Sequence, residues 1–259
     1  MQQSIKDFSM DFFSLKGKVA IVTGGNTNLG MAYCVAFARA GADVFVPNFE
    51  ADVSEVKAAV ETEGRRFENL QGDLTDAAYR KAIIDTALEK FGHIDILVNN
   101  ANVGFFAPFE EYPDSYYSKT IELGLNAAYY LGREIGLVMK KQGSGKIINI
   151  GSALSFTADG NCPGYVIVKH GMIGITRDFA NELGKYNVQT NAICPGFFKS
   201  DVNTGVPQEI VDRVAARLPG GTWGEFGSVM GTAVFLASRA SDYVNGWSIS
   251  VDGGFTSVI

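Results

Sequence analysis

The sequence predicts an α/β fold, a single doubly wound Rossmann-type domain whose parallel sheet is flanked by helices. Three observations carry this. Short apolar runs alternate with longer amphipathic stretches along nearly all of the 259 residues. Several of those runs are continuous in Val, Ile and Leu rather than alternating, the pattern of strands covered on both faces. At this length, with 46% hydrophobic residues, the chain can bury one large core.

The elements follow in order. Residues 1–13 read as an N-terminal arm, and 14–259 as the domain. Strands are expected at 18–23 (KVAIVT), 43–47 (DVFVP), 66–71 (RFENLQ), 94–99 (IDILVN), 145–150 (GKIINI), 188–193 (VQTNAI) and 247–251 (WSISV). Amphipathic helices are expected at 28–40, 53–63, 76–91, 114–140, 165–183 and 228–238. The stretch 197–225 interrupts the alternation with a polar, Gly- and Pro-dotted segment holding one short helix (PQEIVDRVAARL). Long excursions of that kind form lids over sites.

Composition excludes several classes of function. A net charge of -6 opposes binding to nucleic-acid phosphates. No apolar run reaches the length of a membrane span, and the N-terminal segment, with Asp7 and Asp11, lacks the apolar core of a signal peptide. Three cysteines, Cys34, Cys162 and Cys194, are too few and too odd for a disulfide framework, and a cytoplasmic address is expected. The two histidines, His93 and His170, stand apart from any Cys or His cluster, so no metal site is expected.

In such a sheet, ligands bind beyond the carboxyl ends of the strands. The loop TGGNTNLG at 23–30 follows the first strand and opens a helix there. Backbone N–H groups at a helix start face a pyrophosphate, and glycines remove the Cβ atoms that would keep it away. The spacing is not the common G-x-G-x-x-G, and Asn28 stands where another glycine is expected. Asparagine is the best non-glycine resident of left-handed backbone, and its amide is a donor for phosphate. Other strand ends also carry polar or small residues: Gly72 to Leu74, NNAN at 99–102, Gly151 with Ser152, and CPGFF at 194–198. Together they make one rim into a cleft.

Tyr165 and Lys169 are spaced i, i+4 and share a helix face. A nearby ammonium stabilises phenolate and lowers a tyrosine pKa, which suits a general acid or base. Ser152, at a strand end, is placed to hydrogen-bond the same substrate oxygen.

With these motifs, the terminal VNGWSISVDGG and stretches such as FGHIDILVNNA, the chain resembles the short-chain dehydrogenase/reductase family from about residue 14 onward. It is most similar to the branch of 2-deoxygluconate, keto-deoxygluconate and gluconate 5-dehydrogenases. The resemblance implies an NAD(H)-dependent oxidoreductase interconverting a secondary alcohol and a ketone, on a sugar-derived or small carbonyl substrate. It implies Tyr165 as the acid/base, Ser152 as the group orienting the substrate oxygen, and Lys169 as the residue that lowers the tyrosine pKa and binds the nicotinamide ribose. Gly24, Leu29 and Gly30 would cradle the cofactor, Asp73 and Leu74 meet the adenine, Asn100 the adenosine-side ribose, and Pro195 and Gly196 the nicotinamide. Asn48 occupies the place that often carries a ribose-binding Asp. With Glu50 and Asp52 close by and no nearby cation for a 2′-phosphate, NAD is the expected cofactor. A homotetramer or homodimer is expected, since helices of this family at 114–140 and 165–183 often pack a subunit interface.

Three positions depart from the family pattern: Asn28, Asn102 and Gly124. The two asparagines read as exchanges for glycine at left-handed positions. Gly124 stands where the family places a catalytic asparagine. A glycine there keeps the main-chain carbonyl and permits a kinked helix, and Asn102 is placed to restore part of the bracing. These departures motivate the alternative of a dinucleotide-binding regulatory or scaffold protein with little turnover. Phe105 and Phe106, standing where the keto-deoxygluconate relatives carry arginines, favour a neutral polyol, ketose or small ketone over a sugar acid.

Overall fold

The structure, a computed structural model, describes residues 3–199 and 206–258. Seven strands form one sheet, β1 (Val19–Val22), β2 (Asp43–Asn48), β3 (Phe67–Gln71), β4 (Ile96–Asn99), β5 (Gly145–Ile150), β6 (Val188–Pro195) and β7 (Ser248–Val251). Their spatial order is β3-β2-β1-β4-β5-β6-β7 and every neighbouring pair is parallel. The order reverses between β1 and β4, which sets a crevice at their carboxyl ends.

The helices are α1 (Gln3–Lys6), α2 (Asn28–Ala40), α3 (Ser54–Thr62), α4 (Ala77–Phe91), α5 (Asp114–Ile121), α6 (Ala128–Gln142), α7 (Pro163–Leu183), α8 (Gln208–Ala215) and α9 (Gly227–Ala237). Local chemistry sets their ends. Asp76 accepts from the Ala78 N–H at the start of α4, and Pro163 opens α7 at a position where a missing N–H costs nothing. Gly41, with φ of 107°, ends α2 in a left-handed cap.

The period-2 pleat splits the core into two layers. Ala20, Val22, Ile96, Val98 and Ile148 face one side, against α2, α3 and α9. Ile21, Phe45, Leu97 and Ile147 face the other, against α4, α6 and α7. Each of these Val, Ile, Leu and Phe side chains contributes about 1.5–3 kcal/mol by leaving water. This is the two-sided burial that the unbroken Val/Ile/Leu runs predict.

The helix expected at 114–140 is interrupted. Between α5 and α6 the chain forms a π-helical segment, Glu122–Ala127, with Gly124 inside it. Single π turns occur mostly at functional sites. In the expected lid, residues 200–205 lie outside the described residues. The rest is anchored: Phe198 bridges to Gly224, and Val214 and Leu218 pack with Trp223 and Phe255. The arm is seated on the domain through Phe13 beside Phe235 and Phe12 beneath Arg239. No helix among the described residues is long and apolar enough to cross a membrane. Cys34, Cys162 and Cys194 are free and buried.

Candidate active site

A cleft of about 1270 Å³ runs along the carboxyl rim of the sheet. It brings together Gly24, Asn28, Leu29, Gly30, Asn48, Asp73, Leu74, Asn100, Ser152, Tyr165, Lys169, Pro195 and Gly196, whereas Gly124 and Phe106, also singled out from the sequence, do not line it.

At one end the chain leaves β1 and turns into α2. Gly24 has φ of 63°, and the Cβ of any residue replacing Gly30 would overlap the Gly24 carbonyl oxygen. Asn28 has φ of 46°, so the expected left-handed asparagine is present. Thr27 makes no side-chain cap, and the first-turn N–H groups of α2 have no intrahelical acceptor. That is an anion-binding helix start, and it fits the pyrophosphate of a dinucleotide.

Thr23 ties this loop to β4. Its hydroxyl donates to the Val98 carbonyl at 3.3 Å and accepts from the Asn100 and Ala101 N–H groups at 3.0 Å each. The Asn100 amide donates back to the carbonyls of Thr23 at 2.9 Å and Gly24 at 3.3 Å. Asn100 therefore clamps the glycine loop. Asn48 is likewise engaged, its amide donating to the Glu50 carbonyl at 2.7 Å and its oxygen accepting from Asn69 at 3.2 Å. Asp73 accepts from the Thr75 N–H and hydroxyl, both at 2.8 Å, and so orders its own turn.

At the other end, β5 delivers Ser152 and α7 delivers Tyr165 and Lys169. Ser155 joins the two, its hydroxyl donating to the Lys169 carbonyl at 2.7 Å and accepting from the Ser152 N–H at 3.1 Å. The Lys169 ammonium donates to the Ile150 carbonyl at 2.8 Å and lies 5.3 Å from the centre of the Tyr165 ring. Burial pushes the lysine down to about 8. The tyrosine differs from the expectation of a lowered pKa. Burial raises it above its ordinary value, and a hydrogen bond with Ser152 only opposes that. Desolvation of the buried phenol outweighs the stabilisation of phenolate that the Ser152 hydroxyl supplies.

Asn102 also differs from expectation. It is not among the residues of positive φ, which among the described residues and apart from glycines are Asn28, Asn161 and Asn187. Its carboxamide nitrogen and oxygen are both buried without a hydrogen-bond partner. Near the substrate end, Phe105 stacks on Tyr116 with centroids 4.4 Å apart. Lys199 is paired with Glu225 at 2.8 Å, and Arg217 lies over the Phe255 ring at 4.4 Å. Among the described residues lining the cleft, the basic ones are Lys119 and Lys169. No group of three or more His, Cys, Asp or Glu side chains among the described residues is arranged for a metal.

Sequence reasoning missed Phe49 as a lining residue, although its place directly after β2 signalled it. It also missed Ser118, Lys119 and Glu122. Ser118 and Lys119 lie on α5 and Glu122 opens the π-helical segment, away from any strand end that would announce them.

A family model described as enoyl-(acyl carrier protein) reductase, of the short-chain alcohol dehydrogenase group, matches residues 24–256. The chain belongs to the short-chain dehydrogenase/reductase family. Its members are oxidoreductases that use a nicotinamide dinucleotide. The chain is 42% identical to the 2-dehydro-3-deoxy-D-gluconate 5-dehydrogenase of Bacillus subtilis (strain 168), over 95% of this chain and 98% of that protein. It is also 42% identical to the uncharacterized oxidoreductase YgcW of Escherichia coli (strain K12), over 98% of each. Among solved structures, gluconate 5-dehydrogenase from Burkholderia cenocepacia J2315, in complex with NADP and tartrate, superposes with a TM-score of 0.91 at 30% identity, covering 96% of this chain and 99% of that one.

Proposed function

We propose that this short-chain dehydrogenase/reductase interconverts a secondary alcohol and a ketone on a sugar-derived substrate, with NAD(H) as its cofactor and Tyr165 as the general acid/base. The observation that carries the proposal is the shared face of α7. Tyr165 and Lys169 open onto the same cleft as the Gly24 loop, at the sheet's switch point.

The dinucleotide, when bound, supplies or accepts the hydride. The α2 start, Gly24, Asn28, Leu29 and Gly30 hold its phosphates, and Asn100 keeps that loop closed. Asp73 and Leu74 border the adenine side, and Pro195 and Gly196 the nicotinamide side. Asn48 contributes through the backbone it orders. Ser152 orients the substrate oxygen. A phenol raised above its ordinary pKa is protonated at neutral pH, which is the donor state that carbonyl reduction needs. Lys169, beside the tyrosine ring, is the counter-charge for the phenolate that proton donation leaves in reduction and that alcohol oxidation needs as its base.

Two carboxylates, Glu50 and Asp52, follow β2, and neither cation of the cleft follows that strand. A 2′-phosphate would meet repulsion there, so NADH is expected to give the higher kcat/KM. The relatives' names support a keto-aldonic acid as substrate. Phe105, which lines the cleft and is held by stacking on Tyr116, with Lys199 and Arg217 engaged elsewhere, favours the neutral ketose or polyol as a second reading. Purified protein is offered keto-deoxygluconate-type acids, neutral ketoses and small ketones, each with NADH and with NADPH. Turnover of one sugar-derived class with NADH is the expected result, and preference for NADPH overturns the cofactor assignment. Silence across the whole panel moves the reading to a dinucleotide-binding regulator.

The exposed Tyr129, Tyr130 and Leu137 of α6 and Ile167 of α7 support a homodimer or homotetramer, which light scattering in solution tests.

A further inference from the structure

Gly124 leaves no room for a side chain. A Cβ built on it would overlap Asn102 Oδ1 and lie 2.8 Å from Val168 Cγ1. The volume that a side chain at 124 would take is filled instead by the Asn102 carboxamide, which arrives from the loop after β4. Both polar atoms of that carboxamide are buried and unpartnered. A carboxamide can make up to four hydrogen bonds, and burying it without them is costly. Leucine would fill the same space without that cost, so packing alone does not account for an asparagine here.

The neighbours indicate what the polar atoms serve. Val168, against the same notch, precedes Lys169. Gly104, two residues after Asn102, is so close to Tyr165 that a Cβ there would lie 3.2 Å from Tyr165 Cδ2. The loop thus touches the π-helical segment on one side and the Tyr165–Lys169 face of α7 on the other. Lys169 has three donors, and one of them is given to the Ile150 carbonyl.

We propose that Asn102 is a positioning residue for the Tyr165–Lys169 pair, its carboxamide seated in the notch at Gly124 and its polar atoms binding a water between the strand-end loop and the π-helical segment. The inference rests on the oxidoreductase reading of the site. It makes positions 102 and 124 a coupled pair, in which only one can carry a carboxamide.

The test compares Asn102→Leu, Asn102→Gly, Gly124→Asn and the double exchange Asn102→Gly/Gly124→Asn with the natural protein. Each is measured for Tm, NADH affinity, kcat, KM and pH–rate profile on the best substrate found. Gly124→Asn alone should lower Tm by about 4 °C or more, because the added side chain overlaps Asn102. The double exchange should recover most of that loss. Asn102→Leu should fold and bind NADH normally, with kcat down about 10²-fold, as expected when reacting groups are misplaced. Its KM should stay within about threefold, and the limb of its pH–rate profile should shift. A Leu variant with natural kcat and pH profile reduces Asn102 to packing and overturns the proposal. So do Tm losses that simply add in the double exchange. If the natural protein turns over no carbonyl, the reading of the site itself fails. If it turns over and Asn102→Leu does so equally well, only this inference fails.

Discussion

At the β1–β2 end of the cleft, most of the polar side chains that shape the loop have partners, although Asn26 Oδ1 is buried without one. Thr23, Asn48 and Asn100 are each engaged by backbone or side-chain groups within 3.3 Å. At the β5–α7 end the accounts are open. Lys169 is a buried ammonium pushed down to about 8, Tyr165 a buried phenol pushed up, and Asn102 a buried carboxamide with no partner. The same sheet rim therefore carries a finished region and a region of uncompensated groups. Perturbed, desolvated groups cluster where chemistry is done, because a proton transfer needs groups whose two charge states are close in energy. A binding loop needs the opposite, a single rigid shape that a ligand meets without reorganising it.

The strongest way to break this division is Tyr165→Phe. The substitution removes only the hydroxyl, at the open end. It should lower kcat by about 10²–10⁴-fold while leaving dinucleotide affinity unchanged. Titrating NADH fluorescence alongside turnover separates the two. Weakened NADH binding with preserved turnover would put the chemistry elsewhere.

Lys169 sharpens the contrast through pH. Its folded pKa is lowered from 10.5 to about 8, so the unfolded chain holds the proton more tightly. Below the folded value both states are charged, and the fold bears the full cost of a buried ammonium. Between about 8 and 10.5 the folded state releases its proton first, and stability rises with pH. Above that window the cost is gone. The unfolding free energy of the natural protein relative to Lys169→Met, read from denaturant titrations, should therefore climb across this window by an amount on the order of 3 kcal/mol. A flat difference would mean that the lysine is solvated when the protein breathes. An equivalent pH dependence in an Asn100→Ala pair would show that it does not belong to the open end.

The strands were legible from Val, Ile and Leu runs because burial on both faces leaves no room for alternation, and β5 was read to its bounds. The strand-end rule then located the cleft, and with it Tyr165, Lys169 and the glycine loop. What escaped has a common physical cause. The π-helical segment at Glu122–Ala127 changes a hydrogen-bond register, not the apolar spacing, and the expected helix ran straight through it. Ser118 and Lys119 line the cleft from α5, which no strand-end pattern marks. The raised tyrosine depends on how deeply the ring is buried, which the i, i+4 spacing does not encode. The left-handed backbone expected at Asn102 is absent, because what places its carboxamide is the space beside Gly124, a residue 22 positions away.

Asn28 gives the smallest and most discriminating comparison, because it too stands where the resemblance expects glycine. Here the reason is the backbone: φ is 46°, a conformation that costs an ordinary L-residue about 1–2 kcal/mol. Asn28→Gly should therefore be nearly neutral, since glycine adopts this conformation freely, with the lost amide and the larger unfolded-state entropy as its only costs. Asn28→Ala should lower Tm by about 2–8 °C and weaken NADH binding by up to about tenfold, because the loop must strain or move away from the phosphates. Neither variant should alter the pH–rate profile, which belongs to the other end of the cleft. If Asn28→Ala proves as stable as Asn28→Gly, the left-handed conformation is not what the asparagine serves. A shifted pH profile in either variant would mean that the two ends of the rim are not separable.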